Sequence, residues 1–415
     1  MKILLSALAC NPLWGSEAAV GWSVLSTLAK NHEVWVLLHE HNRPFFDQFS
    51  ASSPLPENIH LHFLGENKPH HPNRLMARAE SWRENFRWHS RLLGPARELH
   101  QKHRFDLVHH ATYATWRVAS PLWQLGIPFI WGPLGGGEIF PWRAAKILSP
   151  TALLFEFARA SGNFISKHNR AVRDCARKAT VCVAGNQETF ETLRQLRGSS
   201  QGIESLCVSF FLDQIIDEFK ALLPGKPNGG EALRLFAGGN LEGRKGVAIA
   251  LDALAQVKEK GVPFEYRLGG GGPELAHLQA AAKSHGLEEN VIFGDSLRGE
   301  DYRNQLRATH IYLLPSLRDN SGRTLMEAML AGCVPIVADC GGPADIVTDQ
   351  CGFRIPVSGP AEMARAIAEI IAKLNADRSL LAALGRAAHE RIASHYSEKS
   401  YLQSLEAIYK KSLGQ

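Results

Sequence analysis

Short apolar runs alternate with amphipathic stretches along the whole chain. In the first half the runs are Lys2–Ala9, Glu33–Leu38, Asn58–Leu64, Asp106–His110, Pro128–Trp131 and Thr180–Ala184. In the second they are Leu233–Gly238, Phe264–Leu268, Asn290–Phe293, His310–Pro315 and Val334–Ala338. Helical patterns such as Val247–Lys258 and Pro273–His285 fit between them. Strand, helix, strand repeated in this way predicts α/β structure, with parallel sheets covered on both faces. The stretch "LLPGKPNGGEA" at 222–232 is rich in proline, glycine and polar residues and reads as a linker. The expected architecture is two Rossmann-like domains, 1–221 and 233–395, facing across a cleft. In such sheets ligands bind beyond the carboxyl ends of the strands. The tail, 396–415, reads as an amphipathic helix through Tyr401, Leu402, Leu405 and Ile408, and is expected to pack back on the first domain.

Composition narrows this only a little. A chain of 415 residues is comfortable as two domains, and 45% hydrophobic with 21% charged residues is ordinary for a globular protein. The 46 basic and 41 acidic residues leave +5, too mild an excess to argue for nucleic acid. Seven cysteines lie at 10, 175, 182, 207, 333, 340 and 351. None forms CxxC, so neither a zinc site nor a thioredoxin-like motif is suggested, and a reduced, cytoplasmic chain is expected. The opening "MKILLSALACNPLWGSE" reads as a first buried strand rather than a signal peptide. No run of about 18 apolar residues predicts a transmembrane helix.

Charge is uneven at 73–104, which holds eight basic and three acidic side chains with Trp82, Phe86, Trp88, Leu92 and Leu93 interleaved. This suits peripheral contact with an anionic membrane. It suits equally a solvated helix whose aromatic side packs on the core. No recognition module accompanies it, so nucleic acid is not expected as a partner.

The chemistry concentrates in "LRDNSGRTLMEAMLAGCVPIVAD", 317–339. A buried strand ends at Pro315 and Ser316, a turn follows, and "RTLMEAMLAG" is a helix closed by Gly332. The amides of Gly322, Arg323 and Thr324 stand at the helix start, where free N–H groups and the helix dipole favour a phosphate. Asp319 and Ser321 lie upstream in the turn and Glu327 one turn into the helix. The same residues also fit a plain turn and a solvated helix.

This segment resembles the signature of retaining glycosyltransferases of family 4 with the GT-B fold, E-x-F-G-x-x-x-x-E-A-M-A-x-G-x-P-V. Asp319, Gly322, Glu327-Ala328-Met329, Gly332 and Pro335 occupy the matching places. The resemblance implies that Asp319 contacts the donor sugar, the intervening amides hold the diphosphate and Glu327 binds the ribose. Asp319 is one methylene shorter than the usual glutamate, which bears on the identity of the sugar. "GGNLEGRKG" resembles the family's G-R-x-x-x-x-K-G phosphate loop through Lys245 and Gly246. The usual arginine falls at Gly239 or Asn240, so Arg244 or Arg323 is expected to replace it. "LGGGGPELAHL" resembles G-x-G-P-x-x-x-x-L and brings Gly271 to the ligand. Together the motifs cover most of 233–357.

In the first half, Gly15 and Ser16 follow the first strand where GT-B proteins place a loop facing the diphosphate; Ser16 with Glu17 also reads as an ordinary helix start. His109 and His110 end a strand where many family members carry H-x-H. Adjacent strand residues point to opposite faces, so at most one reaches the cleft, and His110 is the choice. Gly136, Gly137 and Glu138 follow another strand and suggest an acceptor loop, or a plain turn.

The resemblance implies a retaining glycosyltransferase that moves a sugar from a nucleoside-diphosphate sugar to a glycan or lipid-linked acceptor, in bacterial cell-surface polysaccharide synthesis, at the inner face of the plasma membrane. Asp319, His110 and Lys245 are its expected catalytic residues. No D-x-D occurs, in keeping with a metal-free enzyme without a cofactor. A GT-B epimerase or phosphorylase, and a non-catalytic nucleotide-binding partner of another glycosyltransferase, remain open. A dinucleotide oxidoreductase does not fit, because no GxGxxG follows the first strand.

Overall fold

In this computed structural model the described residues are 1–13, 17–66, 74–223 and 232–415; at 74–79 and 81 the description covers the backbone alone. The chain divides into two compact units. One comprises Met1–Gly137, Ser161–Phe210 and Glu398–Gln415, the other Glu138–Ala160 and Phe211–Ser397. The second unit therefore recruits a stretch from the middle of the first half, which the apolar pattern does not signal. Most of the expected linker lies outside the described residues.

The first unit holds seven strands: β1 (Lys2–Ala7), β2 (Glu33–His39), β3 (Ile59–Leu64), β4 (Leu107–Thr112), β5 (Phe129–Leu134), β6 (Val181–Ala184) and β7 (Ile203–Ser205). They pair in parallel in the order β3-β2-β1-β4-β5-β6-β7. The second holds β8 (Leu233–Gly238), β9 (Phe264–Gly269), β10 (Val291–Gly294), β11 (Ile311–Leu313), β12 (Val334–Ala338) and β13 (Phe353–Ile355). Their order is β10-β9-β8-β11-β12-β13, again parallel. The central strands are apolar without alternation because helices cover both faces; β4 and β12 are buried at every position. The strand order reverses between β1 and β4 in one sheet and between β8 and β11 in the other. Loops leaving the carboxyl ends at such a reversal diverge and leave a crevice for ligands.

The two edge strands β7 and β13 are absent from the sequence reading. Each has three residues, too few for a period to show.

The Glu398–Ser412 helix belongs to the first unit. Glu398 accepts from the Thr27 hydroxyl at 2.9 Å and pairs with Lys30 at 2.6 Å. Tyr409 is fully buried and meets His109 of β4.

That contact revises the role expected for His109. Its Nε2 faces the Gly132 carbonyl at 2.6 Å, an acceptor only, so Nε2 carries the proton. Nδ1 then accepts from the Tyr409 hydroxyl at 2.7 Å. Burial pushes the imidazole down to about 4, which keeps it neutral. Both nitrogens are used, and none is left for an acceptor sugar. His110 is also fully buried, with Ser6 Oγ at 3.4 Å and the Tyr113 carbonyl at 3.3 Å, and burial holds its pKa well below the usual imidazole value. Neither histidine of the pair reaches solvent, because β4 is the central strand of the sheet and is covered on both faces.

The basic stretch at 73–104 also divides. Trp88 and Leu92 are buried with Val108 and Trp131 in the first unit's core, while Trp82 and Phe86 stay exposed. Its aromatic residues thus serve the core in part. Among the described residues no helix is long and apolar enough to cross a membrane.

Tyr409→Phe is expected to leave Nδ1 of His109 without a donor and to cost about 1–3 kcal/mol in urea denaturation; unchanged stability would show that the nitrogen finds another partner. Acid should also destabilise the protein. Folded His89 and His109 both titrate at about 4 because of burial, below the ordinary value of about 6.5. The unfolded chain takes up these protons first, so stability present above pH 6.5 falls steadily toward pH 4.

Candidate functional site

The second sheet's reversal point gathers three loops. The first follows β8. It passes Gly239, turns through a short helical segment at Gly243–Lys245, and enters the Val247–Glu259 helix through Gly246 in the left-handed conformation. A Cβ at Gly246 would stand 2.1 Å from the Pro315 carbonyl oxygen, so only glycine allows the approach. The second loop follows β9 and carries Gly270–Gly272. Gly271 accepts from the Leu241 amide at 2.8 Å, and Gly239 donates to the Gly269 carbonyl at 3.0 Å. The third follows β11 and carries Asp319 through Gly322 to the Arg323–Leu330 helix.

The first and third loops are tied by backbone. Leu317 donates to the Arg244 carbonyl at 2.8 Å, and Arg244 Nη1 donates to the Arg318 carbonyl at 2.8 Å. Lys245 and Asp319 form an ion pair, and Arg244 Nη1 lies 3.9 Å from the second Asp319 oxygen. The Asn320 amide donates to the same carboxylate at 3.2 Å. Asp319 is largely enclosed. Burial pushes its carboxyl up, but Lys245, Arg244 and these hydrogen bonds outweigh that, and its pKa lies below the ordinary value. Arg244 also meets Glu242 at 2.5 Å.

The Arg323–Leu330 helix starts at Gly322, which is left-handed, and its first internal bond is Met326 N–H to the Gly322 carbonyl at 3.1 Å. The amides of Arg323 and Thr324 precede that bond and have no partner within the helix. The Thr324 side chain is held by Tyr312, hydroxyl to hydroxyl at 2.8 Å. Glu327 sits one turn on. It accepts from the Tyr302 hydroxyl at 3.0 Å and from Arg323 at 3.2 Å. Burial raises its pKa above the ordinary carboxylate value despite Arg323 and Tyr302. The Arg323 guanidinium stacks over Phe211 at 4.8 Å.

Among the residues expected from sequence, the structure brings together Gly239, Arg244, Lys245, Gly271, Asp319, Ser321, Gly322, Arg323, Thr324 and Glu327 on these loops of one unit. Gly15 and Ser16 lie outside the described residues. Glu17, next to them, is buried and accepts from the Ala114 amide at 2.6 Å. Gly136, Gly137 and Glu138 do not offer the free amides expected of an acceptor loop. Gly137 donates to the Thr189 hydroxyl at 3.1 Å, Gly135 donates to the Ala114 carbonyl at 2.9 Å, and Gly136 accepts from Arg117 at 3.0 Å. Glu138 is buried against Arg159 at 3.1 Å. These glycines make room for packing: a Cβ at Gly137 would stand 2.5 Å from Thr189 Cα.

Sequence reasoning missed Tyr302, Tyr312 and the buried pair of Arg318 with Glu156, at 2.7 and 2.9 Å. Each reaches the site from a distant segment and leaves no local pattern. Gly341-Gly342 was also missed, although paired glycines after a predicted strand are a readable signal. Among the described residues no cluster of three or more His, Cys, Asp or Glu side chains is arranged to hold a metal ion.

Residues 225–391 match the family described as glycosyl transferases group 1. The chain is 31% identical over 183 residues to a phosphatidyl-myo-inositol mannosyltransferase of Mycobacterium tuberculosis, covering 42% of this chain and 47% of that one. It is 28% identical over 185 residues to the putative colanic acid biosynthesis glycosyltransferase WcaL of Escherichia coli, covering 42% and 44%. It thus spans less than half the length of these relatives. Among solved structures it resembles Anabaena HepE in complex with UDP and glucose, with a TM-score of 0.59 and 16% identity over 98% of both chains. That likeness establishes the fold.

Tyr302→Phe removes a donor that favours ionised Glu327. The carboxyl is expected to titrate at a still higher pH, read by carbon NMR of labelled glutamate; an unchanged titration would detach Tyr302 from the site.

Proposed function

The chain belongs, through residues 225–391, to the glycosyl transferases group 1 family, and on that premise we propose that it moves a sugar from a nucleoside-diphosphate sugar to a glycan or lipid-linked acceptor with retention of anomeric configuration. The observation that carries this reading is the pairing of two unlike carboxylates around one helix start. Asp319 is held ionised by Lys245 and Arg244; Glu327 is buried one turn beyond the partnerless amides of Arg323 and Thr324. A diphosphate between them meets amides, the helix dipole and Lys245, and its departing charge is stabilised where water is scarce. Glu327 accepts from ribose hydroxyls. Asp319 positions the sugar and favours the positive charge that develops at its anomeric carbon. Attack from the same face, with the leaving phosphate taking the acceptor's proton, gives retention without a covalent intermediate.

Arg244, 3.9 Å from Asp319, stands in for the arginine missing at 239–240. Arg323 is committed to Glu327 and Phe211 and is the weaker choice. The donor is used without metal or cofactor. The relatives named above support a cell-surface glycan or lipid-linked acceptor and a protein that works peripherally at the inner membrane face.

Thermal unfolding with UDP, GDP and ADP, with and without EDTA, tests the donor site. A ligand at about 100 times its dissociation constant adds about 2.7 kcal/mol. One diphosphate is expected to stabilise the protein regardless of EDTA. Lys245→Ala should weaken that binding about tenfold or more, and Asp319→Asn should spare it while lowering transfer about a hundredfold or more. Binding without any turnover in the unaltered protein would favour a non-catalytic partner. Conversion of a nucleotide sugar without acceptor would favour an epimerase.

A further inference from the structure

The Pro150–His168 helix carries an apolar ridge that no part of the protein covers. Leu154, Phe157, Phe164 and Ile165 stand at i, i+3, i+10 and i+11, one stripe of a helix. They are 68%, 64%, 67% and 68% exposed. Phe155 and Trp142 add nearly half-exposed aromatic surface beside them. A contiguous apolar surface of this kind marks an interaction site.

The helix cannot turn to hide it. Glu156, on the opposite side, is buried and takes both Arg318 nitrogens, at 2.7 and 2.9 Å. Ser149 donates to Glu274 at 2.5 Å just before the helix. A Cβ at Gly243 would stand 3.2 Å from that of Ala152, so backbone of the phosphate loop packs directly on the helix.

Charge identifies the occupant. From Glu138 to Lys178 the chain carries eight basic and three acidic residues. Glu138 and Glu156 are buried against arginines, and Asp174, the one acid of this stretch that reaches solvent, pairs with Arg170 at 3.7 Å. Arg143 and Lys146 are exposed before the helix, and Arg170 after it. Two copies of this chain meeting here would bring like charges together. Apolar and aromatic side chains flanked by cations match an anionic lipid surface.

We infer that the ridge docks on an anionic membrane surface. Leu154, Phe157, Phe164 and Ile165 enter the boundary between headgroups and acyl chains, and Arg143, Lys146 and Arg170 meet the headgroups. The inference deepens the membrane-peripheral part of the reading above and is independent of which donor or acceptor is used. It also moves the contact from 73–104, where Trp88 and Leu92 are buried, to the stretch around this helix.

The test uses the full chain and cosedimentation with vesicles of phosphatidylcholine alone or with about 30% phosphatidylglycerol. Binding is expected to be about tenfold tighter or more on the anionic vesicles, and to fall about tenfold or more when Leu154, Phe157, Phe164 and Ile165 are all replaced by serine. The replaced side chains are exposed, so the unfolding temperature and the diphosphate-induced shift should persist; that shift reads the donor site separately. Should the fourfold variant fail to fold, Phe157→Cys bearing a polarity-sensitive dye gives the same answer, with a blue shift on anionic vesicles expected. Absence of sedimentation on both vesicles, wild-type binding by the variant, or no blue shift overturns the inference. So does loss of binding in Arg83→Gln/Arg87→Gln with the ridge intact. A wild-type dimer that the ridge substitutions make monomeric would assign the surface to a second copy instead.

Discussion

Asp319 stands where it does because the backbone beneath it leaves no space for side chains. Its carbonyl accepts from the Gly342 amide at 3.0 Å. A Cβ on Gly342 would lie 1.6 Å from the Asn320 carbonyl oxygen, and one on Gly341 would lie 2.6 Å from that of Asp319. Gly341 is also left-handed, at φ 62°. On the other side, Gly246 admits Pro315, and Arg244 receives the Leu317 amide. The loop after β11 is thus gripped between the loops after β8 and β12 by main-chain contacts. Main chain has few alternative rotamers, so the loop's charged side chains depart from a fixed base. Any residue larger than glycine at 246 or 342 pushes that base away.

From this base the two carboxylates enter different electrostatic surroundings. Asp319 has two cations and an amide, and its ionised form wins over burial. Glu327 has one arginine and a tyrosine, and burial wins. The contrast follows from which helix each belongs to. Lys245 and Arg244 come from the β8 loop and reach only the turn, whereas Glu327 faces Tyr302 on the Gly299–Ala308 helix. Two acids eight residues apart on one segment are thereby given different proton affinities.

Much of this was legible in sequence because it is local. The glycines, the helix start and the spacing of Asp319 and Glu327 all lie within one loop and one helix, where the period of the helix decides what faces what. The long apolar strands were legible for the same reason. What was not legible depends on distant pairing. His109 and His110 look alike in "DLVHHATYA", and only the returning C-terminal helix shows that Tyr409 claims one of them. Gly136 and Gly137 look like a ligand loop, yet Thr189 and Arg117 already use them. Arg318 looks like one more surface cation until Glu156, 162 residues earlier in the chain, is found against it.

The same pair explains why a folded chain keeps a ridge of exposed leucine, phenylalanine and isoleucine. Each such side chain gains about 1.5–3 kcal/mol on full burial. Breaking a buried ion pair costs about 3–5 kcal/mol, because one charge is left unpaired. Turning the helix inward would break Arg318 from Glu156 and strip Ala152 from the phosphate loop, offsetting most of what the ridge gains. An external surface supplies the gain and leaves the pair intact. The helix is then held on one side by the loop that carries Asp319, and its other side remains available for association.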